Sequence, residues 1–110
     1  MIISTLDRVP DREVIAIIGP VRGSTVRSRH MGKDILALFK GAVGGEIHEY
    51  TKLLAEAREQ AMDRMTAEAH ACGADAVLGM RFATSEIARN AAEILVYGTA
   101  VRLAASTSGP

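Results

Sequence analysis

The feature that most constrains this chain is a helical period running unbroken over residues 46–72, fenced by Gly44-Gly45 before it and Gly73 after it. Its apolar positions are Ile47, Tyr50, Leu54, Ala57, Ala61, Met65, Ala69 and Cys72. They recur at three- and four-residue steps and line one face. Glu46 and Glu49 fall in the first turn, where the helix dipole favours negative charge. Lys52 with Glu56 and Arg64 with Glu68 are i,i+4 pairs expected on the wet side. Gly73 predicts a left-handed C-terminal cap. At 1.5 Å per residue the helix spans roughly 40 Å. The whole chain has 110 residues, room for one domain. A rod that long overreaches a small core, so part of it is expected to meet a partner.

Alanine sharpens this expectation. It supplies 18 residues, whereas the aromatics are only Phe39, Phe82, Tyr50 and Tyr97. An alanine adds little buried area, so such a core gains stability from close backbone approach or from burial against another copy. The chain is therefore expected to be a homo-oligomer.

The flanking segments read as strands and one shorter helix. The run Val14-Ile15-Ala16-Ile17-Ile18 is apolar without alternation, which predicts a strand covered on both faces. Gly19-Pro20 punctuates it, and a more polar strand is expected over residues 21–27. Residues 2–6 suit a short edge strand. Residues 32–43 read as a helix with Ile35, Leu38, Phe39 and Ala42 on one face. Residues 75–84 predict a strand with Leu78, Met80 and Phe82 on one face. Residues 93–103 predict another, with Leu95, Tyr97, Thr99, Val101 and Leu103 opposed to Ile94, Val96 and Ala100. The two are expected to pair antiparallel around a loop at residues 87–91. Gly79 and Gly98 are expected where backbones approach closely. The order of elements defines an α+β fold: an antiparallel sheet with a long helix packed on one face, residues 1–103 forming one domain and 104–110 a flexible tail.

Composition excludes several function classes. Thirteen basic and thirteen acidic residues give zero formal charge, which argues against a general nucleic-acid coat or a polybasic membrane anchor. The longest apolar run is five residues, too short to span a bilayer. The start shows no secretory pattern, and one cysteine cannot form an internal disulfide; both fit a cytoplasmic setting.

Chemistry-bearing residues are sparse. The imidazole and thiol ligands are His30, His48, His70 and Cys72, without the paired spacing of a structural zinc site. His48, His70 and Cys72 are the candidate metal ligands. Cys72, on the apolar stripe, also reads as a buried thiol beside the helix end. There is no nucleophile elbow and no recognisable Cys–His pair, so no catalytic residue is assigned and the chain reads as a non-enzyme. The segment Gly41-Ala42-Val43-Gly44-Gly45 lacks the lysine and hydroxyl of a P-loop. Arg22, Arg27, Arg29 and Lys33 form the one basic patch, a candidate anion or nucleic-acid surface without an aromatic to stack a base.

Taken together, Gly44-Gly45-Glu46, Tyr50-Thr51-x-Leu53-Leu54, Ala57-Arg58 with Ala61, Gly73-Ala74-Asp75-Ala76-Val77 and Tyr97-Gly98-Thr99-Ala100-Val101 resemble the YbjQ-like family. Gly19-x-Val21-x-Gly23 falls in place as well, and the resemblance covers residues 13–103. It implies a subunit similar in topology to a dodecin subunit, assembling into a ring, a pentamer or a pair of pentamers. The family carries a heavy-metal-binding label with no ligand set to transfer, so a divalent metal ion is the cofactor that the label suggests. Dodecins stack flavin on a tryptophan; this chain has none, so no flavin is expected. The leading expectation is a cytoplasmic ring of identical subunits with a metal or small ligand at their junctions. An anion or nucleic-acid module and an enzyme with an interfacial site remain as alternatives, nucleic acid being disfavoured by charge.

Overall fold

The computed structural model describes residues 1–28, 45–88 and 91–105. Strands β1 (Ile2–Ile3), β2 (Val14–Ser28), β3 (Ala76–Ala88) and β4 (Ala91–Leu103) form one sheet, and helix α1 (Gly45–Ala71) lies on it. The strand order is β1-β3-β4-β2. β4 pairs antiparallel with both β3 and β2, whereas β1 runs parallel to β3. The α+β class expected from the sequence is observed. The sheet is mixed rather than wholly antiparallel because Ile2 and Ile3 enter alongside Ala76 and Val77 in the same direction. The helix expected over residues 32–43 lies outside the described residues.

α1 ends as its sequence dictates. Gly73 adopts φ 78°, a left-handed conformation that costs glycine little. Its N–H donates to the His70 carbonyl at 3.1 Å, and the Ala74 N–H donates to the Ala69 carbonyl at 3.0 Å. These two bonds form a Schellman motif, completed by Ala74 packing into the same cluster as Ala69.

The main core lies between α1 and one face of the sheet. Ala57, Ala61, Met65 and Ala69 of the helix meet Val21, Val77, Ile94, Val96 and Ala100. Small residues set the separation. A Cβ on Gly23 would run into the Ala61 carbonyl oxygen and the Met65 amide nitrogen, and would stand 2.9 Å from Arg64 Cβ. Helix and strand backbones therefore touch at Gly23. Gly98 is similarly enclosed: a Cβ there would meet Val77 Cγ1 at 2.5 Å and the Leu78 carbonyl at 3.0 Å. Thr25 is the buried polar residue of this core, and its Oγ1 donates to the Ala57 carbonyl at 2.9 Å.

A second cluster sits on the reverse face. Ala76, Leu78, Val101 and Leu103 are covered by Val9 and Val14. Arg12 fastens this cover: its Nε donates to the Ala104 carbonyl at 3.0 Å, while the Ala104 N–H donates to the Glu13 carbonyl at 2.8 Å.

Three strand expectations are corrected. Gly19-Pro20 does not divide the chain into two strands; β2 is continuous and absorbs the irregularity as bulges between Val14 and Ala16 and between Ile17 and Gly19. The apolar run within it is not covered on both faces. β2 is an edge strand, and Ile15 and Ile17 are 60% and 75% exposed. Third, Leu78 and Phe82 do not share a face. A bulge between Leu78 and Arg81 inserts one residue, and Gly79 takes φ 63° within it. Leu78 thus joins the reverse cluster, while Phe82 stands opposite Val96 on the helix side. Gly79 serves this turn and not a close approach, since nothing lies within 4 Å of a Cβ built there.

Candidate functional site

The sequence candidates fall at separate places. His70 and Cys72 are both exposed at the C-terminal end of α1, which corrects the expectation of a buried thiol. The helix ends one residue before Cys72, so the apolar stripe no longer governs its direction. Its Sγ lies 3.3 Å from the Ala69 carbonyl and donates to it. His48 belongs to the first turn of α1 and its side chain lies outside the described residues. At 1.5 Å per residue it is about 33 Å along the helix from His70, so one chain cannot bring the two to a common ion. Among the described residues, no three His, Cys, Asp or Glu side chains gather as a metal-holding group.

The basic patch also divides. Arg22 stands opposite Tyr97 on the reverse face of the sheet, whereas Arg27 stands opposite Ala92 on the helix face. Alternation along a strand requires this separation for residues five apart. Arg27 Nη2 donates to Gln60 Oε1 at 3.2 Å, and its Nε is buried without a partner. Arg29 and Lys33 lie outside the described residues. The register places a different set together: Arg22, Tyr97 and Arg81 form one cross-strand row, all three exposed. Arg81 is held there by donation from Nη1 to the carbonyls of Thr5 and Met80, at 3.0 and 2.8 Å.

A polar seam along α1 was not legible in the sequence. Gln60, Arg64 and Glu68 recur every four residues, and all three reach β2. The Arg22 N–H donates to Glu68 Oε2 at 3.2 Å, and Arg64 Nη1 donates to the Ser24 carbonyl. Arg64 and Glu68 thus serve the strand backbone instead of simply pairing with each other in water. The match is metric. From Arg64 to Glu68 the helix advances about 6 Å and from Ser24 to Arg22 the antiparallel strand about 6.6 Å, while the third contact, three strand residues on at Arg27, is made through that residue's long side chain.

These features define a class: a small α+β protein in which helix α1 is bonded along a sheet edge, with an imidazole and a thiol exposed at the end of that helix. The chain belongs to the family described as "Putative heavy-metal-binding", whose model matches residues 1–104. A UPF0145 protein of Thermus thermophilus is 57% identical over 103 residues, covering 94% of this chain and 90% of the relative. A UPF0145 protein of Archaeoglobus fulgidus is also 57% identical over 103 residues, covering 94% and 95%. A crystal structure from Pediococcus pentosaceus, of a DUF74-family protein of unknown function, superposes with a TM-score of 0.62 at 13% identity, covering 94% of this chain and 98% of that one. That likeness concerns the fold. Among the described residues no helix is long and apolar enough to cross a membrane.

Proposed function

We propose that this chain is a subunit of a homo-oligomeric ring that holds a heavy-metal ion or another small ligand where subunits meet. The observation that carries the reading is apolar exposure on an ordered strand: Ile15 and Ile17 of β2 face water in a single chain. Such exposure on a strand edge marks an interaction surface. The family description supports a metal ligand, and the chemistry asks for several chains. His70 and Cys72 offer one imidazole and one thiol, while a closed zinc site takes four ligands. Repetition around a symmetry axis multiplies such a pair.

Sedimentation of untagged protein at micromolar concentration tests the assembly, and equilibrium dialysis against zinc or copper with metal analysis tests the ligand. Discrete oligomers retaining metal, lost in the His70→Ala, Cys72→Ser variant, are expected. A monomer, or an oligomer that retains no metal, refutes the corresponding half of the reading.

A second reading is favoured by the Arg22, Tyr97 and Arg81 row: two guanidiniums flanking one ring on an open sheet face suit an anion carrying a flat group. Titration with ATP at rising salt tests it. Binding that weakens with salt and disappears in Arg81→Ala is expected, and salt-independent binding refutes it.

A further inference from the structure

The reverse face of the sheet is covered over one half only. There Val9 and Val14 lie on Leu78, Val101 and Leu103. Residues 6–14 cross this half, from the outer side of β3, where the Leu6 carbonyl accepts from the Gly79 N–H, to the start of β2. The open half begins with the row Arg22, Tyr97 and Arg81, in which the ring is 43% exposed. Antiparallel register sets each arginine about 5 Å from Tyr97, Cα to Cα, so both long side chains reach a group lying on the ring. Arg81 uses only Nη1 to hold the Thr5 and Met80 carbonyls, which leaves the donors of Nε and Nη2 for an anion. Among the described residues Arg22 is hydrogen-bonded through its main chain alone, to Glu68 on the helix side.

Resting on the anion reading of this row, we infer that it takes a single nucleoside phosphate, with the base stacked on Tyr97 and the phosphates on the two arginines. The rows beyond it decide between this ligand and a nucleic-acid strand. The next row, Ser24, Leu95 and Ala83, has no charge. The one after it holds a carboxylate, Glu93, four β4 residues or about 13 Å from Tyr97. A strand running on along the face would meet no further cation and then a like charge. One aromatic also stacks one base, whereas strand-binding surfaces repeat both ring and charge. The zero formal charge of the chain agrees with a small ligand. A bare anion, in turn, would make no use of the exposed ring between the two guanidiniums. Nothing in the adjoining row offers an amide or a carboxylate to read a base edge, so the base is held by its face.

Calorimetric titration of the full chain, with EDTA present so that no metal bridges the phosphates, compares ATP, inorganic triphosphate and a short oligoadenylate. ATP is expected to bind about tenfold more tightly than triphosphate, the contribution of stacking one base. Tyr97→Ala is expected to lower ATP affinity about tenfold and leave triphosphate unchanged, and Tyr97→Phe to keep the unaltered affinity. Arg22→Ala is expected to weaken both ligands. Circular dichroism checks that each variant is folded; should Tyr97→Ala not fold, the ratio of ATP to triphosphate affinity on the unaltered chain decides alone. If neither ATP nor triphosphate binds at low salt, the anion reading itself is removed. Triphosphate that matches ATP, or a folded Tyr97→Ala variant with unchanged ATP affinity, leaves an anion site and overturns the nucleotide assignment. Oligoadenylate that binds more tightly per base than ATP overturns the single-nucleotide assignment in favour of a strand.

Discussion

Substituting Gly23 with alanine is the most direct probe of how this fold is built. The added methyl would overlap the Ala61 carbonyl and the Met65 amide and crowd Arg64 Cβ. These atoms belong to the helix main chain or are fixed to it, so no rotamer change relieves the clash. α1 must withdraw from β2 by on the order of 1 Å to regain a contact distance of about 3.5 Å. Overpacking of this kind costs about 1–3 kcal/mol. Withdrawal also stretches the 2.9 Å bond from Thr25 Oγ1 to the Ala57 carbonyl, worth about 1 kcal/mol. The expected loss is about 3 kcal/mol, a large share of the ~5–15 kcal/mol that stabilises a domain. At about 4 °C per kcal/mol, the midpoint falls by roughly 12 °C. Thermal and urea unfolding followed by circular dichroism, at one protein concentration, reads this directly. Gly73→Ala is the control: nothing lies near its Cβ, so only the left-handed φ of 78° is penalised, at about 1 kcal/mol. If Gly23→Ala loses no more than Gly73→Ala, the reasoning from backbone contact is wrong.

Other substitutions separate further contributions. Met65 is fully buried at the centre of the helix face, so Met65→Ala is expected to cost about 2–5 kcal/mol in urea unfolding; a loss under 1 kcal/mol would mean that the site collapses freely. Thr25→Val keeps the shape and removes the donor, and is expected to cost about 1 kcal/mol; a stabilised variant would show that the hydroxyl contributes nothing net. Cys72 is exposed, so a thiol reagent is expected to modify one thiol per chain in native buffer at a rate unchanged by mild urea, whereas modification only on unfolding would contradict its placement.

The helix was legible because its pattern is local. Ala57, Ala61, Met65 and Ala69 recur every four residues along one helix face, and each is fully buried. The Gly73 cap was legible for the same reason, since a glycine after a helical run has a specific backbone use. The alternation of β4 also matched: Ile94, Val96 and Ala100 face the helix, and Val101 and Leu103 the reverse cluster. What escaped depends on neighbours distant in the chain. An apolar run such as Ile15-Ala16-Ile17-Ile18 reads alike whether an element of its own chain or another chain covers it, so edge and centre are not distinguishable by pattern. Arg64 and Glu68 look like an i,i+4 surface pair until β2 is set beside them. Arg22 and Arg27 look like one patch until strand alternation separates them. The metal candidates His70 and Cys72 are both exposed at the end of α1, two residues apart in the chain, and nothing in that local pattern points to further side chains that could join them.

The inserted residue at Gly79 has a consequence for how this hairpin tolerates change. It resets the phase of β3, so that residues before it and after it obey opposite parity against the same partner strand. Deleting one residue there would restore regular pairing and leave Leu78 opposite Thr99 and Phe82 opposite Val96, whereas deleting one residue farther along the distal arm would send every residue beyond it to the other face. Lengthening or shortening of the family's distal arm should therefore be accommodated in steps of two residues, with single-residue changes confined to the bulge itself.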